Sequence, residues 1–68
     1  MSSKLVLDPM KVSLAMANEC INPYELCEKM NIHYSSYLRI TKGQSVKPAT
    51  AGKVAKALNV KVQDLLKD

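Results

Sequence analysis

The stretch "NPYELCEKMNIHYSSYLRITKG", residues 22–43, contains two short helical patterns separated by a turn. Its start is typical of a helix N-terminus, because Asn22 can cap free backbone N–H groups and Pro23 fits the first helical position. Glu25 stands three residues after Asn22, which is the spacing of a capping box. We therefore predict a helix over about residues 23–29.

A tight turn is predicted to end this helix and to start another. Asn31 tolerates the left-handed backbone conformation in which many helices end. The next helix is predicted from His33 to Gly43, with Tyr37 and Ile40 facing inward. Two short helices joined in this way are the outline of a helix-turn-helix, whose second helix lies in the major groove of DNA. Helical hairpins are also common packing devices, so this outline alone does not decide the function.

Further helix signals lie on both sides of this stretch. Asp8 and Pro9 predict a first helix that ends near Asn18. The segment "PATAGKVAKAL" predicts a fourth helix from its apolar spacing, and "VKVQDLL" predicts a short fifth helical turn. The predicted fold is all-α, a compact bundle of about five short helices, with residues 1–7 as an N-terminal arm and residues 8–68 as the helix-turn-helix domain. The predicted core consists of Leu14, Ala15, Leu26, Met30, Ile32, Tyr37, Ile40, Val54, Leu58 and Leu65.

Length and composition limit the class of protein. Sixty-eight residues make one small domain, and the 47% hydrophobic content includes no Phe or Trp. Cys20 and Cys27 are too few for a disulfide framework, and His33 is the only histidine, so no zinc site is predicted. No apolar run approaches the ~18 residues of a membrane span, and the N-terminus has no signal-peptide pattern. We expect a cytoplasmic protein with reduced thiols and no membrane association.

The charges are distributed unevenly along the chain. The net charge is +4, and the acidic residues before residue 29 are followed by a segment, residues 29–63, that is only basic. The basic residues of this segment are Lys29, Arg39, Lys42, Lys47, Lys53, Lys56 and Lys61. A segment of one sign favours a polyanionic partner through counterion release. The alternative is a solvated lysine surface that serves solubility.

From about Lys11 to Leu66 the chain resembles the lambda-repressor/Cro-like (Xre-type) helix-turn-helix family. The resemblance lies in "INPYELCEKMNIHYSSYLRITKG", "VKPATAGKVAKALNV" and "VQDLL". It implies a sequence-specific DNA-binding transcriptional regulator of Cro or repressor type, from a bacterium, its phage or another mobile element. The implied partner is double-stranded DNA, bound by a weak homodimer or by a dimer that forms on DNA.

The chain departs from the family pattern at five positions. Cys27 replaces the usual Ala, and Asn31 replaces the usual turn Gly. Met16 and Thr41 stand where many members carry an Arg–Glu pair, and because both charges are missing, no buried charge is left unpaired. Pro23 stands where several members place a Gln near DNA, which removes one hydrogen-bond donor but keeps the helix start.

The resemblance implies which residues contact bases. They lie on the first turns of the third helix: His33, Tyr34, Ser35 and Leu38. Ser35 and Tyr34 can hydrogen-bond base edges, and Leu38 can contact a thymine methyl group. The alternative is that Tyr34 and Leu38 only cover neighbouring surface and that His33 is an ordinary surface residue beside a helix start.

A second set is expected to contact phosphates and so to position the protein on DNA. Asn22 and the free amides at its helix start form an anion site of the kind that helix N-termini provide. The other members of the set are Arg39, Lys42, Gln44, Ser45, Lys47 and Lys53. For the charged members, the alternative is a solvated position.

No enzyme site is predicted, because the chain has no catalytic triad, no Cys–His pair at a suitable spacing and no glycine-rich phosphate loop. We likewise predict no cofactor and no metal. Two functions stay open: a DNA-binding regulator, and a helix-turn-helix module that binds and modulates another repressor, as an antirepressor or antitoxin-like partner does. The predicted dimer interface is a small apolar patch near the C-terminus, Val60 and Leu66.

Overall fold

Four α-helices and a 3₁₀ turn make up most of residues 4–67, which are the residues that the computed structural model describes. The elements in chain order are β1 Leu5–Val6, α1 Pro9–Asn18, α2 Pro23–Met30, α3 Tyr34–Thr41, β2 Ser45–Val46, α4 Pro48–Ala57 and the 3₁₀ turn Val62–Asp64. The predicted helical bundle and the four main helices are confirmed. The expected fifth helix is only the 3₁₀ turn, and the description as all-α is wrong because of the two strands.

The two strands pair antiparallel, with Leu5 opposite Val46 and Val6 opposite Ser45. Leu7 forms an isolated bridge to Leu66, and the Lys67 N–H donates to the Val6 carbonyl at 3.0 Å. Strands of two residues are too short to show an alternating pattern, which is why the sequence did not reveal them. Of the expected arm, residues 1–7, residues 5–7 are thus hydrogen-bonded to β2 and to the C-terminal segment, and residues 1–3 lie outside the described residues.

The predicted N-caps at Asp8 and Asn22 and the predicted left-handed residue Asn31 are confirmed. The Met10 N–H donates to Asp8 Oδ1 at 2.9 Å and caps α1. At the start of α2, the Glu25 N–H donates to Asn22 Oδ1 at 2.8 Å and the Asn22 N–H donates to Glu25 Oε1 at 3.0 Å, so both halves of the capping box form. Asn31 ends α2 with φ 55°, and Gly43 follows α3 with φ 77°. Of these residues, Asn31 lies in the short turn that separates α2 from α3.

The core lies between the helices and receives residues from every helix, from the bridge at Leu7 and from Leu65 after the 3₁₀ turn. Its buried residues are Leu7, Val12, Ala15, Met16, Leu26, Cys27, Met30, Tyr37, Ile40, Ala51, Val54, Ala55, Leu58 and Leu65. Most of the predicted core is confirmed, and Ile32 is half-buried against it. Leu14 was placed wrongly, because its side chain is 57% exposed.

The error at Leu14 comes from α1, which is apolar on two faces. Val12, Ala15 and Met16 form the face that is buried. Met10 and Leu14 are spaced four residues apart and form a second apolar stripe, which is exposed. Both stripes have helical spacing, so only the packing of the folded chain decides which one enters the core.

Candidate nucleic-acid interface

The outer face of α3 presents side chains of mixed chemistry to solvent. α3 packs on the core through Tyr37 and Ile40, which are buried. Tyr34, Ser35 and Leu38 lie on the opposite side and are exposed, Tyr34 by 39% and Leu38 by 37%. We call these three residues the reading face. It offers hydroxyl groups that can donate or accept hydrogen bonds and an aliphatic group that can contact a methyl.

His33 lies at the edge of the reading face. It is the N-cap residue of α3, and its side chain makes no capping hydrogen bond. The residue is exposed. Its backbone carbonyl accepts from the Ser36 N–H at 3.0 Å, which fixes the first turn of α3. The imidazole therefore lies at the same end of α3 as Tyr34 and does not take part in the helix cap.

Three tyrosines connect the reading face to the core. The rings of Tyr24 and Tyr34 are stacked, with centroids 4.9 Å apart and an interplanar angle of 16°. The Tyr34 ring also lies 5.6 Å from that of Tyr37, which is buried. Tyr24 is 68% exposed and was not among the predicted site residues. The sequence signal that could have indicated it is the presence of a tyrosine in the first turn of both helices, Tyr24 in α2 and Tyr34 in α3.

The groups behind the reading face are uncharged at neutral pH. Burial raises the pKa of the Tyr37 phenol, and the nearby Tyr34 and Cys27 raise it further. Burial alone raises the pKa of the Cys27 thiol. Cys27 lies on α2 against this region of the core, and Cys20 is exposed, with both thiols free. The support for the reading face is therefore apolar and neutral.

The predicted phosphate-contacting residues fall into separate groups. Arg39 and Gln44 are joined at the end of α3, where Arg39 Nε donates to Gln44 Oε1 at 3.1 Å. Arg39, Ser45 and Lys47 line one cleft beside α3. Lys42, the C-cap residue of α3, is exposed and does not line that cleft, and Lys53 is exposed on α4. The structure thus brings only part of the predicted set together.

At the start of α2, the capping box changes the expected anion site. It uses the Asn22 side-chain oxygen and the Asn22 backbone N–H, and it places the Glu25 carboxylate beside the helix start. A carboxylate there interacts favourably with the helix dipole and competes with an external anion. The donor that Asn22 still offers to a phosphate is its side-chain nitrogen.

The two residues of the predicted dimer interface are half-buried and have different neighbours. Leu66 forms the bridge to Leu7, and its carbonyl accepts from Lys11 Nζ at 2.9 Å. Val60 lines a groove together with Leu14 and Asp64. The exposed Leu14 therefore extends the apolar surface next to Val60 rather than next to Leu66.

Comparison with known families gives one match. A family model described as the Cro/C1-type HTH DNA-binding domain matches residues 11–68. Neither the curated proteins nor the solved structures include a significant match to the chain. Among the described helices, none is long and apolar enough to cross a membrane. Residues 4–67 contain no group of three or more His, Cys, Asp or Glu side chains placed to hold a metal ion.

Proposed function

Because the chain belongs to the Cro/C1-type helix-turn-helix DNA-binding family, we propose that it is a transcriptional regulator of Cro or repressor type that binds a specific operator sequence. The observation that carries this proposal is the exposed reading face of α3, held outward by the burial of Tyr37 and Ile40. A helix presented in this way fits the major groove, where hydroxyl and methyl contacts distinguish base pairs.

The proposal assigns different tasks to two sets of residues. His33 and the reading face contact bases and determine sequence preference. The phosphate-contacting set positions the protein on the duplex through charge and hydrogen bonds, without reading sequence. This set consists of Asn22, Arg39, Lys42, Gln44, Ser45, Lys47 and Lys53. Lys42 is exposed directly after α3, so we expect it to contribute strongly.

The two tasks are separable by substitution. Lys42→Ala should weaken binding to every duplex alike and reduce the slope of log K against log salt by about one unit, because one phosphate contact is lost. Ser35→Ala should instead relax the preference for particular bases and leave the salt slope unchanged. Binding is measured by fluorescence anisotropy on a randomised duplex library and on a selected operator, over a range of salt concentrations.

Lys29→Ala is the matched control, because Lys29, like Lys42, is an exposed lysine at the C-terminal end of a helix, here α2. It should change neither the salt slope nor the base preference. If Lys42→Ala and Ser35→Ala have the same effect on all duplexes, the division into positioning and reading residues is wrong. If the wild-type chain has no sequence preference in the selection, the proposed operator binding is wrong.

The proposal includes a dimer on DNA. One helix-turn-helix reads only a few base pairs, and two-fold pairing places two reading helices about 34 Å apart on successive turns of the major groove. Val60 and Leu66, both half-buried, remain our proposed contact between the two copies. The surface is small, so we expect the dimer to need DNA for its stability.

A second candidate function is a module that binds another repressor protein. The observation that favours it is the exposed apolar stripe of α1, where Met10 is 66% and Leu14 is 57% exposed. A gel shift with DNA that flanks the gene, with and without the products of neighbouring genes, separates the two functions. Binding by the chain alone supports the regulator, whereas a shift that requires or is abolished by a neighbouring product supports the module.

A further inference from the structure

Three of the large apolar side chains that the described residues expose lie together across α2 and α3: Tyr24, Tyr34 and Leu38. Tyr34 and Leu38 are four residues apart on α3, so they are neighbours along one side of the helix. Tyr24 joins them from α2, because its ring stacks on that of Tyr34 with centroids 4.9 Å apart. We call these three side chains the aromatic–aliphatic patch. Apolar groups gathered on a surface in this way mark a contact site more often than single ones do.

The patch is held in place by the fold. The Tyr34 ring lies 5.6 Å from that of Tyr37, which is buried. The Leu38 carbonyl accepts from Thr41 Oγ1 at 2.7 Å and from the Lys42 N–H at 3.1 Å, so the helical turn that follows Leu38 is formed. A surface that is ordered before binding loses little conformational entropy when it meets a ligand.

Paired hydrogen bonds to bases are not available next to the patch. Arg, Lys, Asn and Gln recognise purines by such pairs, and Asp or Glu accept from cytosine, but the reading face contains none of these residue types. Arg39 Nε donates to Gln44 Oε1 at 3.1 Å, and Arg39 lines the cleft on the flank of α3. At the start of α2, Asn22 and Glu25 bond to each other in the capping box. Base recognition is therefore left to single hydrogen bonds from hydroxyl or imidazole groups and to the apolar patch.

The charges next to the patch favour DNA over an apolar protein partner. Residues 34–44 contain two cations, Arg39 and Lys42, and no acidic residue. Cations beside an apolar surface suit the major groove, where phosphates flank the base edges. An apolar protein surface offers no complementary charge for them.

The apolar group that a base edge presents in the major groove is the C5-methyl group of thymine. Cytosine carries a hydrogen at that position, and 5-methylcytosine carries the same methyl group as thymine. We propose that the aromatic–aliphatic patch reads C5-methyl groups of pyrimidines in the operator. Methyl reading of this kind rests on the proposed function, and it adds Tyr24 to the residues that determine base preference. The methyl group, supplied by thymine or by methylated cytosine, is then the main feature that the patch selects.

Uracil substitution tests this, because uracil differs from thymine only by the missing methyl group. In the selected operator, each thymine is replaced by uracil in turn, and the affinity is measured by fluorescence anisotropy at a fixed salt concentration. At one or more positions of each half-site the affinity should decrease about fourfold, the value expected for one buried methyl group. Uracil in place of thymines outside the half-sites is the control and should have no effect.

Leu38→Ala connects the uracil effect to the patch. In this variant, the ratio of thymine to uracil affinities should approach one at the position that Leu38 contacts, because the shorter side chain no longer reaches the methyl group. Ser35→Ala is the matched comparison, since Ser35 is an exposed neighbour on the reading face with a hydroxyl instead of an apolar group. It should keep the ratio at that position. Circular dichroism verifies that both variants are folded, and an equal loss of the ratio in both would contradict the role of the patch.

A second arm identifies the base that supplies the methyl group. At the position sensitive to uracil, the thymine–adenine pair is replaced by cytosine–guanine, with and without a methyl group on C5 of cytosine. A gain of about fourfold on methylation shows that both pyrimidines serve as sources. No gain, with the uracil effect present, assigns the methyl group to thymine alone.

Failure of this proposal and failure of the proposed function give different results. A chain that prefers an operator but binds its thymine and uracil forms equally at every position, with no gain from 5-methylcytosine, would contradict methyl reading alone. A selected operator without thymine in its half-sites, and without any response to cytosine methylation, would have the same meaning. A chain without sequence preference would contradict the proposed function, and methyl reading with it.

Discussion

Tyr24 and Tyr34 belong to consecutive helices, and their stacked rings link the start of α2 to the start of α3. Stacked aromatic pairs contribute about 0.5–1.5 kcal/mol beyond the area that they bury. Because Tyr34 is on the reading face, the ring of Tyr24 restricts the directions in which the Tyr34 hydroxyl can point. If Tyr34 contacts a base as proposed, a residue outside α3 therefore helps to position that contact.

This leads to a prediction for Tyr24. In Tyr24→Ala the Tyr34 ring loses its stacking partner, and we expect a broader base preference at the position that Tyr34 contacts, with an unchanged salt slope. Selection from a randomised duplex library measures both. Tyr24→Phe keeps the ring and should keep the preference. An equally broad preference in Tyr24→Phe would assign the effect to the Tyr24 hydroxyl instead of the stacking.

Because Cys27 and Tyr37 are buried, we expect the free energy of unfolding to decrease at alkaline pH. The folded pKa of each group is raised above its unfolded value, so their contribution is fully present below the unfolded pKa and is lost as pH rises through the folded pKa. Free thiols titrate at about 8.5 and free phenols at about 10. We expect the melting temperature to fall as pH rises above about 8.5.

Cys27→Ala isolates the thiol in this effect. The melting temperature of the variant should decrease less than that of the wild type between about pH 8 and about pH 9.5, because the Cys27 thiol is gone. These pH values lie on either side of the pKa of a free thiol, about 8.5. The comparison does not depend on the stability of the variant at neutral pH. Differential scanning calorimetry under reducing conditions gives the measurement. A decrease identical to that of the wild type would show that other groups cause it.

At the scale of elements, the turn between α2 and α3 depends on one backbone conformation. Asn31 has φ 55°, which costs most residues about 1–2 kcal/mol and Asn less. We expect Asn31→Ala to lower the free energy of unfolding by about 1 kcal/mol and Asn31→Gly to preserve it. Urea denaturation measures both values.

Asn59 provides the matched comparison, because it has φ 59° after α4, away from the helix-turn-helix. Asn59→Ala should cost a similar free energy while leaving DNA binding unchanged in conditions where the protein is folded. An unchanged free energy of unfolding in both alanine variants would mean that the left-handed conformation at these two positions does not require Asn.

The elements that could be predicted are those with local causes. The caps at Asp8 and Asn22 depend on residues two or three positions away, and the structure contains both. The pairing of Leu5 with Val46 depends on residues far apart in the chain, and two-residue strands have no pattern of their own. The cleft beside α3 was missed for the same reason, since Lys4 reaches it only through that pairing.

At the scale of the whole molecule, the proposed dimer leads to a prediction for Leu66. Its side chain is half-buried, so Leu66→Lys adds a charge at the proposed contact. We expect the variant to bind operator DNA with one chain where the wild type binds with two, as measured by sedimentation. Leu14→Lys is the comparison, because Leu14 is exposed beside Val60.

Two outcomes of this experiment have distinct meanings. Unchanged stoichiometry in Leu66→Lys, with loss of the second chain in Leu14→Lys, would move the interface to the groove formed by α1 and Val60. Unchanged stoichiometry in both variants would show that neither Leu66 nor Leu14 lies in the dimer interface. Circular dichroism of each variant verifies the helical fold.

The contacts that join residues 6–8 to residues 65–67 also bear on the order in which the domain assembles. The bond from Lys11 Nζ to the Leu66 carbonyl spans 55 positions, whereas α2 and α3 are adjacent in sequence. Closing a long loop costs more entropy than forming a local turn, so this junction should form late and open early. The Asp8 and Lys67 amides, bonded to Leu65 and Val6, should then exchange with deuterium sooner than those of α2. The helix-turn-helix should thus stay folded when the contacts between residues 6–8 and residues 65–67 have already opened.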